Sequence, residues 1–185
     1  LSPGYDHFDP AEKTEYSYLK SANIVTALKY ERILSATGPY KGHLFRPSDQ
    51  TPPKKIAFVQ CVGSRDEKHD YCSSICCMYA TKEAIIAKEH SHDPLECHIY
   101  YMDVRAFGKG FDQYYERAKE LGIQYIPSRP SAVEPVNGTG NVLVEYVSDD
   151  GHINHQEYDM VILSTGVIPT ESAQEIQDVF DVRFN

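Results

Sequence analysis

The sequence predicts a parallel α/β fold, and two observations support this prediction. Three apolar runs with strand character lie at residues 54–62, 96–104 and 123–127. The segments between them, at 73–90 and 110–121, place apolar residues at the helical period. Strands that alternate with helices are joined by right-handed crossovers, which makes neighbouring strands parallel. We therefore expect a Rossmann-like, three-layer unit in which these three strands run in the same direction.

The first 53 residues are predicted to be an arm and the flank of a neighbouring domain. Residues 1–22 are rich in tyrosine, proline and charge without sustained periodicity, which favours an extended arm. A short strand at 23–25 leads to Thr26, whose hydroxyl suits the N-cap of a short helix. Residues 39–53 are rich in proline and glycine and form the best candidate for a domain boundary.

Beyond that boundary, residues 54–130 are predicted to form the Rossmann-like module, and residues 131–185 a return segment. In the return segment, two runs with strand character flank the turn signal Asp150-Gly151, which predicts an antiparallel hairpin. The apolar run at 159–166 then predicts a buried strand that ends in a turn of small residues.

Composition narrows the classes of function. The net charge of −9 and the lack of a basic cluster argue against a nucleic-acid partner. No apolar run is long enough to span a bilayer, so we expect no direct membrane insertion. Five unevenly spaced cysteines and no signal peptide favour a reducing compartment, and we expect a cytoplasmic protein. Because the chain opens on Leu1 rather than Met, we also expect it to be a piece of a longer protein.

Four of the five cysteines, Cys61, Cys72, Cys76 and Cys77, follow the pattern C-x10-C-x3-C-C. Four thiolates are the number that a cubane iron–sulfur cluster requires, whereas structural zinc sites usually pair their cysteines more closely. Buried free thiols, a disulfide pair and a zinc site remain alternatives. We predict that these four side chains converge, and that Cys97 stays apart as an ordinary buried thiol.

The position of the cysteines relative to the helix at 73–90 adds to this prediction. Three of them lie just before or on its first turn, where free N–H groups and the helix dipole lower a thiol's pKa and stabilise an anionic cluster. Cys77 lies about 100° around a regular helix from Cys76, so one regular helix cannot aim both at one point. The helix should therefore begin irregularly, with Cys72 ahead of its first turn.

The module lacks the glycine-rich loop of a dinucleotide-binding fold. Such a fold has G-x-G-x-x-G after its first strand, but only Gly63 occurs at that place here. Asp103 near the end of the second strand is more often a solvated residue than a ribose ligand, and His69 more often an exposed loop residue than a metal ligand. The pattern disfavours NAD(P) and favours a cluster at the carboxyl end of the first strand.

Several phrases resemble the heterodisulfide reductase family of A subunits, which includes related flavoprotein subunits of the quinone-interacting membrane-bound oxidoreductase complex of sulfate reducers. The matching phrases include NIVTALKYERILSATGP, PKKIAFVQCVGSRD, YCSSICCMYATKEAIIAKEH and DMVILSTGVIP. The resemblance implies a thioredoxin-reductase-like core with flanks of an FAD domain, carrying FAD and a nearby [4Fe–4S] cluster. It also implies that other subunits of a redox complex are the partners.

The resemblance implies a role for individual residues as well. Cys61, Cys72, Cys76 and Cys77 match the cluster ligands. The positions close to the flavin ring are matched by Glu31 and Lys82, and the return strand of the FAD domain by Thr165 and Gly166. Electrons pass between flavin and iron–sulfur centres in such enzymes, which makes this chain part of an oxidoreductase.

Two departures from the family pattern limit what this chain can do alone. The G-x-G-x-x-G fingerprint for FAD and a ferredoxin-type cysteine run are both absent from this sequence. We therefore expect the fragment by itself to be inactive. The alternative is an interaction module, stabilised by zinc or resembling an NAD(P) domain, without redox activity of its own.

The missing glycines lead to a testable prediction. A pyrophosphate at the end of the first strand would meet side chains instead of glycine backbone. We expect no measurable binding of NADH or NADPH in a calorimetric titration of the 185-residue chain. A micromolar affinity would contradict the prediction.

Overall fold

The computed structural model describes residues 4–181, except for the side chain of Gln174. Its centre is a five-stranded sheet in which every neighbouring pair is parallel. In spatial order its strands are β2 (Ile24–Thr26), β9 (Met160–Thr165), β3 (Lys55–Val62), β4 (Glu96–Tyr100) and β5 (Gln124–Ile126).

Three helices cover one face of this sheet. They are α1 (Ala27–Leu34), α2 (Cys76–His90) and α3 (Phe111–Glu120). Side chains alternate along a strand, so Ile56 and Phe58 of β3 pack with the helices, whereas Ala57 and Val59 point to the opposite face. A fourth helix, α4 (Glu171–Phe180), follows the sheet and is capped by the side chain of Thr170.

A three-stranded antiparallel sheet covers the opposite face. Its strands are β6 (Ala132–Pro135), β7 (Val142–Val147) and β8 (Ile153–Tyr158). Val133, Val142 and Val144 pack with Ala57 and Val59 of the central sheet in a second apolar core. The molecule therefore has three layers: helices, parallel sheet and antiparallel sheet.

These observations confirm the α/β class, the parallel order of β3, β4 and β5, and the hairpin of β7 and β8. Two details differ. Residues 54–127 were expected to form all three layers, but the third layer is the antiparallel sheet of β6, β7 and β8. Strand β4 also ends at Tyr100 instead of reaching residue 104. The division at residues 53 and 130 stays a prediction, although strands from all three segments share one sheet.

The arm was expected to be extended, but its described residues include several short 3-10 turns. Strand β1 (Asp6–His7) pairs with β10 (Val167–Ile168), and three 3-10 turns follow it, Pro10–Glu12, Thr14–Tyr16 and Tyr18–Lys20. The Phe8 ring lies on Gly63, whose φ is +72°, and a Cβ at Gly63 would lie 2.0 Å from that ring. Within residues 4–181, no helix is long and apolar enough to cross a membrane.

The proline- and glycine-rich linker at 39–53 is attached to the rest of the molecule through Arg46. The Arg46 guanidinium is buried, donates to Asn141 Oδ1 at 2.9 Å and lies 3.4 Å from an oxygen of Asp159. Breaking a buried pair of this kind leaves an uncompensated charge, so the linker is held against the return segment.

A buried polar chain joins the two sheets and makes stability depend on pH. His98 Nδ1 lies 2.8 Å from the Tyr158 hydroxyl, which lies 2.8 Å from that of Tyr100. Burial, reinforced by the charge of Lys55, lowers the pKa of His98 from 6.5 to about 4. Between about pH 4 and 6.5, the imidazole of His98 is therefore neutral in the folded protein and protonated in the unfolded chain.

We expect this difference to appear in denaturant unfolding. The unfolded chain binds the proton below pH 6.5, whereas the folded chain binds it only near pH 4. Stability is complete above pH 6.5 and falls as the pH is lowered towards 4, by on the order of 2–3 kcal/mol. His98→Gln should remove that component of the pH dependence, and an unchanged profile in this variant would contradict the assignment.

Candidate functional site

The segment between β3 and α2 carries the clustered cysteines in an unusual backbone conformation. Cys61 has a φ of +59°, and the pairing of β3 with β9 shifts register between Val59 and Val62. Arg65 and Ser74 also adopt positive φ values, of 56° and 60°. Left-handed conformations of non-glycine residues cost energy and gather at functional sites. Three of the seven positive-φ non-glycine residues among residues 4–181 lie in this loop or at the end of β3 before it, which makes it a candidate functional site.

Helix α2 begins irregularly, as the sequence predicts. Its first residue is Cys76, and Ile75 at the N-cap provides no capping side chain. Cys72 precedes the helix, and its sulfur accepts a hydrogen bond from the Ser74 N–H at 3.3 Å. The hydroxyl of Ser73 accepts from the Val167 N–H at 2.9 Å, so the segment before the helix is attached to the first residue of β10.

The four clustered thiols share one neighbourhood. Cys61 and Cys76 are buried, Cys72 and Cys77 are half-buried, and the charges of Cys61, Cys72 and Cys77 all act on the pKa of Cys76. Cys97 lies elsewhere, fully buried among the residues of the helix-side core. Within residues 4–181, no three metal-binding side chains stand in the arrangement of an ion site. The donor set fits an iron–sulfur cluster in kind and number, and its assignment as ligands stays a prediction.

Burial dominates the electrostatics of these thiols. It raises the pKa of Cys76 to about 11 and raises those of Cys61 and Cys77 as well. The expected lowering of thiol pKa by the helix terminus was therefore wrong for Cys76 and Cys77, because desolvation outweighs it. Metal binding requires thiolates, so a positive centre is needed to stabilise the ionised form.

Arginines around the thiols act in the opposite direction to burial. The charges of Arg65 and Arg129 lower the pKa of Cys61, and that of Arg105 lowers the pKa of Cys77. Arg65 and Arg105 also form ion pairs with the carboxylate of Asp103. Sequence reasoning missed these cations because their positions are separated along the chain.

A cavity of about 450 Å³ lies beside the cysteine loop, between α1 and α2. This volume is within the range of small-molecule and cofactor sites. The helices line it with residues spaced by three or four positions, which places them on one face of each helix, and the arm closes one end. The lining residues are Tyr5, His7, Ala27, Leu28, Glu31, Leu34, Ser35, Ile75, Tyr79, Lys82, Glu83, Ile86 and His90.

Two residues that the resemblance places near the flavin ring line this cavity. Glu31 comes from α1 and Lys82 from α2, and both are exposed. Lys82 forms no ion pair with any residue of the described chain, so its ammonium is free to meet a ligand. Leu28, also on α1, lines the cavity and is 56% exposed.

Thr165 and Gly166, the other two residues, lie at the end of β9 behind the cavity. The Thr165 carbonyl accepts a hydrogen bond from the Tyr79 hydroxyl at 3.0 Å and lies 4.0 Å from Cys76 Sγ. A Cβ on Gly166 would lie 2.9 Å from that of Ser64 in the cysteine loop. These residues do not line the cavity, but they connect it to the thiols.

His69 does not approach the cysteines as a further ligand. Its ring packs edge-on against Phe8 and Tyr71, and its backbone N–H donates to Asp66. Two residues that sequence reasoning missed have larger roles in the site. Tyr79 touches both the cavity and the carboxyl end of β9, and Glu83 is a buried acid on the cavity wall.

No protein-family model matches the sequence. Individual proteins with similar sequences are known. The chain is 45% identical over 185 residues to the iron-sulfur A subunit 2 of CoB–CoM heterodisulfide reductase from Methanopyrus kandleri, covering 97% of this chain and 28% of the relative. It is 46% identical over 172 residues to the iron-sulfur A subunit of the same type of reductase from Methanocaldococcus jannaschii, covering 90% and 26%. The chain is homologous to a segment of the heterodisulfide reductase A subunit.

A third relative of this type is the A subunit of the H2:CoB-CoM heterodisulfide,ferredoxin reductase from Methanothermobacter marburgensis. It is 42% identical over 182 residues, with 96% of this chain and 27% of the relative covered. The resemblance predicted from the sequence is confirmed. The chain spans about a quarter of the length of the heterodisulfide reductase subunits that it matches.

Among solved structures, the fold is similar to the thioredoxin reductase of Lactococcus lactis in its FR conformation. The TM-score is 0.54 at 14% identity, and the match covers 95% of this chain and 46% of that one. At this identity the likeness shows the fold alone. It confirms the thioredoxin-reductase-like architecture expected from the resemblance to heterodisulfide reductase.

The close contact of Gly166 with the cysteine loop leads to a prediction about stability. In Gly166→Ala, the new methyl would lie 2.9 Å from Ser64 Cβ and 3.0 Å from the Gly63 carbonyl oxygen. We expect a loss of about 1–3 kcal/mol in the free energy of unfolding, since overpacking forces the neighbours apart. An unchanged urea midpoint would show that the loop yields without cost.

Proposed function

We propose that this chain is the segment of a flavin- and iron–sulfur-dependent oxidoreductase in which the two cofactors lie next to each other. One observation carries the proposal. The Thr165 carbonyl meets Tyr79, which lines the cavity, and Cys76, which belongs to the thiol group. A ligand in the cavity and a cluster on the cysteines would thus be separated by the side chains of a single helical turn.

In this proposal the four clustered cysteines hold a [4Fe–4S] cluster. Four thiols of one neighbourhood meet its ligand count, and two of them are buried from water. Arg65, Arg105 and Arg129 supply positive charge around them, which favours thiolates and offsets the negative charge of a thiolate-bound cluster. The names of two relatives, which call them iron-sulfur subunits, agree with this assignment.

The cavity between α1 and α2 is the proposed site of the flavin ring of FAD. It has apolar walls on both helices and a few polar groups that converge on it, which is the composition of a cofactor site. Glu31 and Lys82, the positions that match the family's flavin neighbours, both reach it. Thr165 and Gly166 would support it from behind, through Tyr79 and the arm.

When bound, the flavin supplies chemistry in one- or two-electron steps and the cluster a one-electron carrier. The chain's residues set the conditions for that chemistry. The Lys82 ammonium, free of any ion pair with the described residues, favours negative charge in the cavity. Tyr79 fixes the wall between the two sites through its hydrogen bond to the Thr165 carbonyl, and the arm residues Tyr5 and His7 line the cavity.

The activity of the whole protein belongs to the same proposal. We infer an oxidoreductase subunit that passes electrons between FAD and the cluster and works with other subunits of a redox complex. The names of the relatives, which call each of them a subunit, support an assembly of several chains. The reducing conditions that free thiols need support a cytoplasmic location.

The ligand assignment is tested by single cysteine replacements in the complete polypeptide, purified without oxygen. We expect Cys76→Ala and Cys77→Ala each to lose about four irons with the matching sulfide, because a [4Fe–4S] cluster needs all its thiolates. Cys97→Ala is the matched control: it removes a buried thiol from the helix-side core and should leave the iron content unchanged.

Metal analysis of the same samples separates the alternatives. Zinc in place of iron and sulfide would establish the zinc-stabilised module and reject the redox proposal. Loss of iron in Cys97→Ala together with full iron in Cys77→Ala would show that the wrong cysteines were chosen.

A further inference from the structure

Glu83 is a buried acid on the cavity wall with an incomplete set of hydrogen bonds. Its side chain lines the cavity but is only 5% exposed. Its Oε2 atom is buried and has no partner among the described residues. Buried polar atoms almost always have a hydrogen-bond partner, so the orphaned oxygen of a side chain on the cavity wall calls for one.

The surroundings of Glu83 keep it uncharged. Burial, and then the negative charge of Glu31, raise the pKa of Glu83 to about 9, and the charge of Lys82 opposes this rise only in part. At neutral pH the group is therefore a carboxylic acid, with an O–H that can donate a hydrogen bond. With Glu83 neutral, Glu31 on α1 and Lys82 on α2 supply one charge of each sign to the cavity lining.

We propose that Glu83 is a further ligand-binding residue of the cavity, which donates a hydrogen bond from its uncharged carboxyl group to a carbonyl oxygen of the flavin ring. The inference rests on the proposed flavin site. Lys82 and Glu31 then act on the ligand by charge, whereas Glu83 recognises an acceptor that carries no full charge. This division would favour a ring with neutral polar edges over an anionic ligand such as a phosphate.

A competing explanation for the orphaned oxygen involves Tyr30. The Tyr30 hydroxyl is also buried without a partner in the described chain, and it is close enough for Glu83 to affect its pKa. A buried water could bridge the two groups. The position of Glu83 on the cavity wall favours the ligand, since Tyr30 lies behind that wall, in the core.

The test uses the complete polypeptide, stripped of flavin and titrated with FAD. Glu83→Leu removes the donor at similar volume, and we expect it to weaken FAD binding about tenfold, the effect of one hydrogen bond. Glu83→Gln keeps an N–H donor and should stay within about threefold of the parent protein. Glu83→Met serves as a second apolar replacement if the leucine variant folds poorly.

Infrared difference spectra of the bound flavin give a second readout that does not depend on turnover. Loss of the donor should raise the stretching frequency of one ring carbonyl in Glu83→Leu, because a hydrogen bond weakens that bond. Tyr30→Phe is the control for the bridging water and should change neither the frequency nor the affinity. Lys82→Met, on the same wall, reports whether the flavin occupies this cavity at all.

The outcomes separate the two proposals. If Lys82→Met changes the flavin spectrum but Glu83→Leu does not, the role of Glu83 is rejected and the flavin site stands. If neither replacement changes spectrum or affinity, the flavin lies elsewhere and both proposals fail. If Tyr30→Phe reproduces the effect of Glu83→Leu, the missing partner is the buried water, and the ligand-binding role is overturned.

Discussion

Strand β9 is the element on which the rest of the structure depends. It is buried along its whole length and pairs with β2 on one side and β3 on the other. Its carboxyl end places the Thr165 carbonyl between the thiols and the cavity, and Gly166 leaves room for the cysteine loop. Ligands of open α/β sheets gather at the carboxyl ends of the strands. In this protein, that edge of the sheet has the cysteine loop and the Thr165 carbonyl in the position where a dinucleotide-binding fold has its glycine-rich loop.

Much of this architecture follows from local pattern. Long apolar runs predict β3 and β9, and an amphipathic segment predicts α3, because a buried strand and a half-buried helix have different periods. Strand β6 has only four residues, which is too short to give a period, and its pairing with β7 defines it. The position of β9 between β2 and β3 and the antiparallel third layer both depend on pairing between distant segments. No local signal contains that information.

The site divides in the same way. The cysteine spacing and the carboxyl-edge rule predict which thiols gather, because both depend on neighbours in sequence. Burial, which raises the thiols' pKa, depends on packing from other segments. The burial of Glu83 could not be predicted for a related reason, because an acid in a helical sequence is usually a solvated surface residue. Only the packing of α1 against α2 reveals that this acid is enclosed.

The order of strands also has a consequence for folding. Ile24 lies beside Val161, and Ile56 lies beside Met160, so β9, an interior strand of the sheet, is synthesised after all four of the other strands. Contacts that join distant parts of a chain are slow to form, because the intervening loop must first be closed. Until β9 arrives, β2 and β3 each expose an unpaired edge, the usual starting point for aggregation. The strand that brings the thiols and the cavity together is thus also the one whose late pairing closes both of these edges.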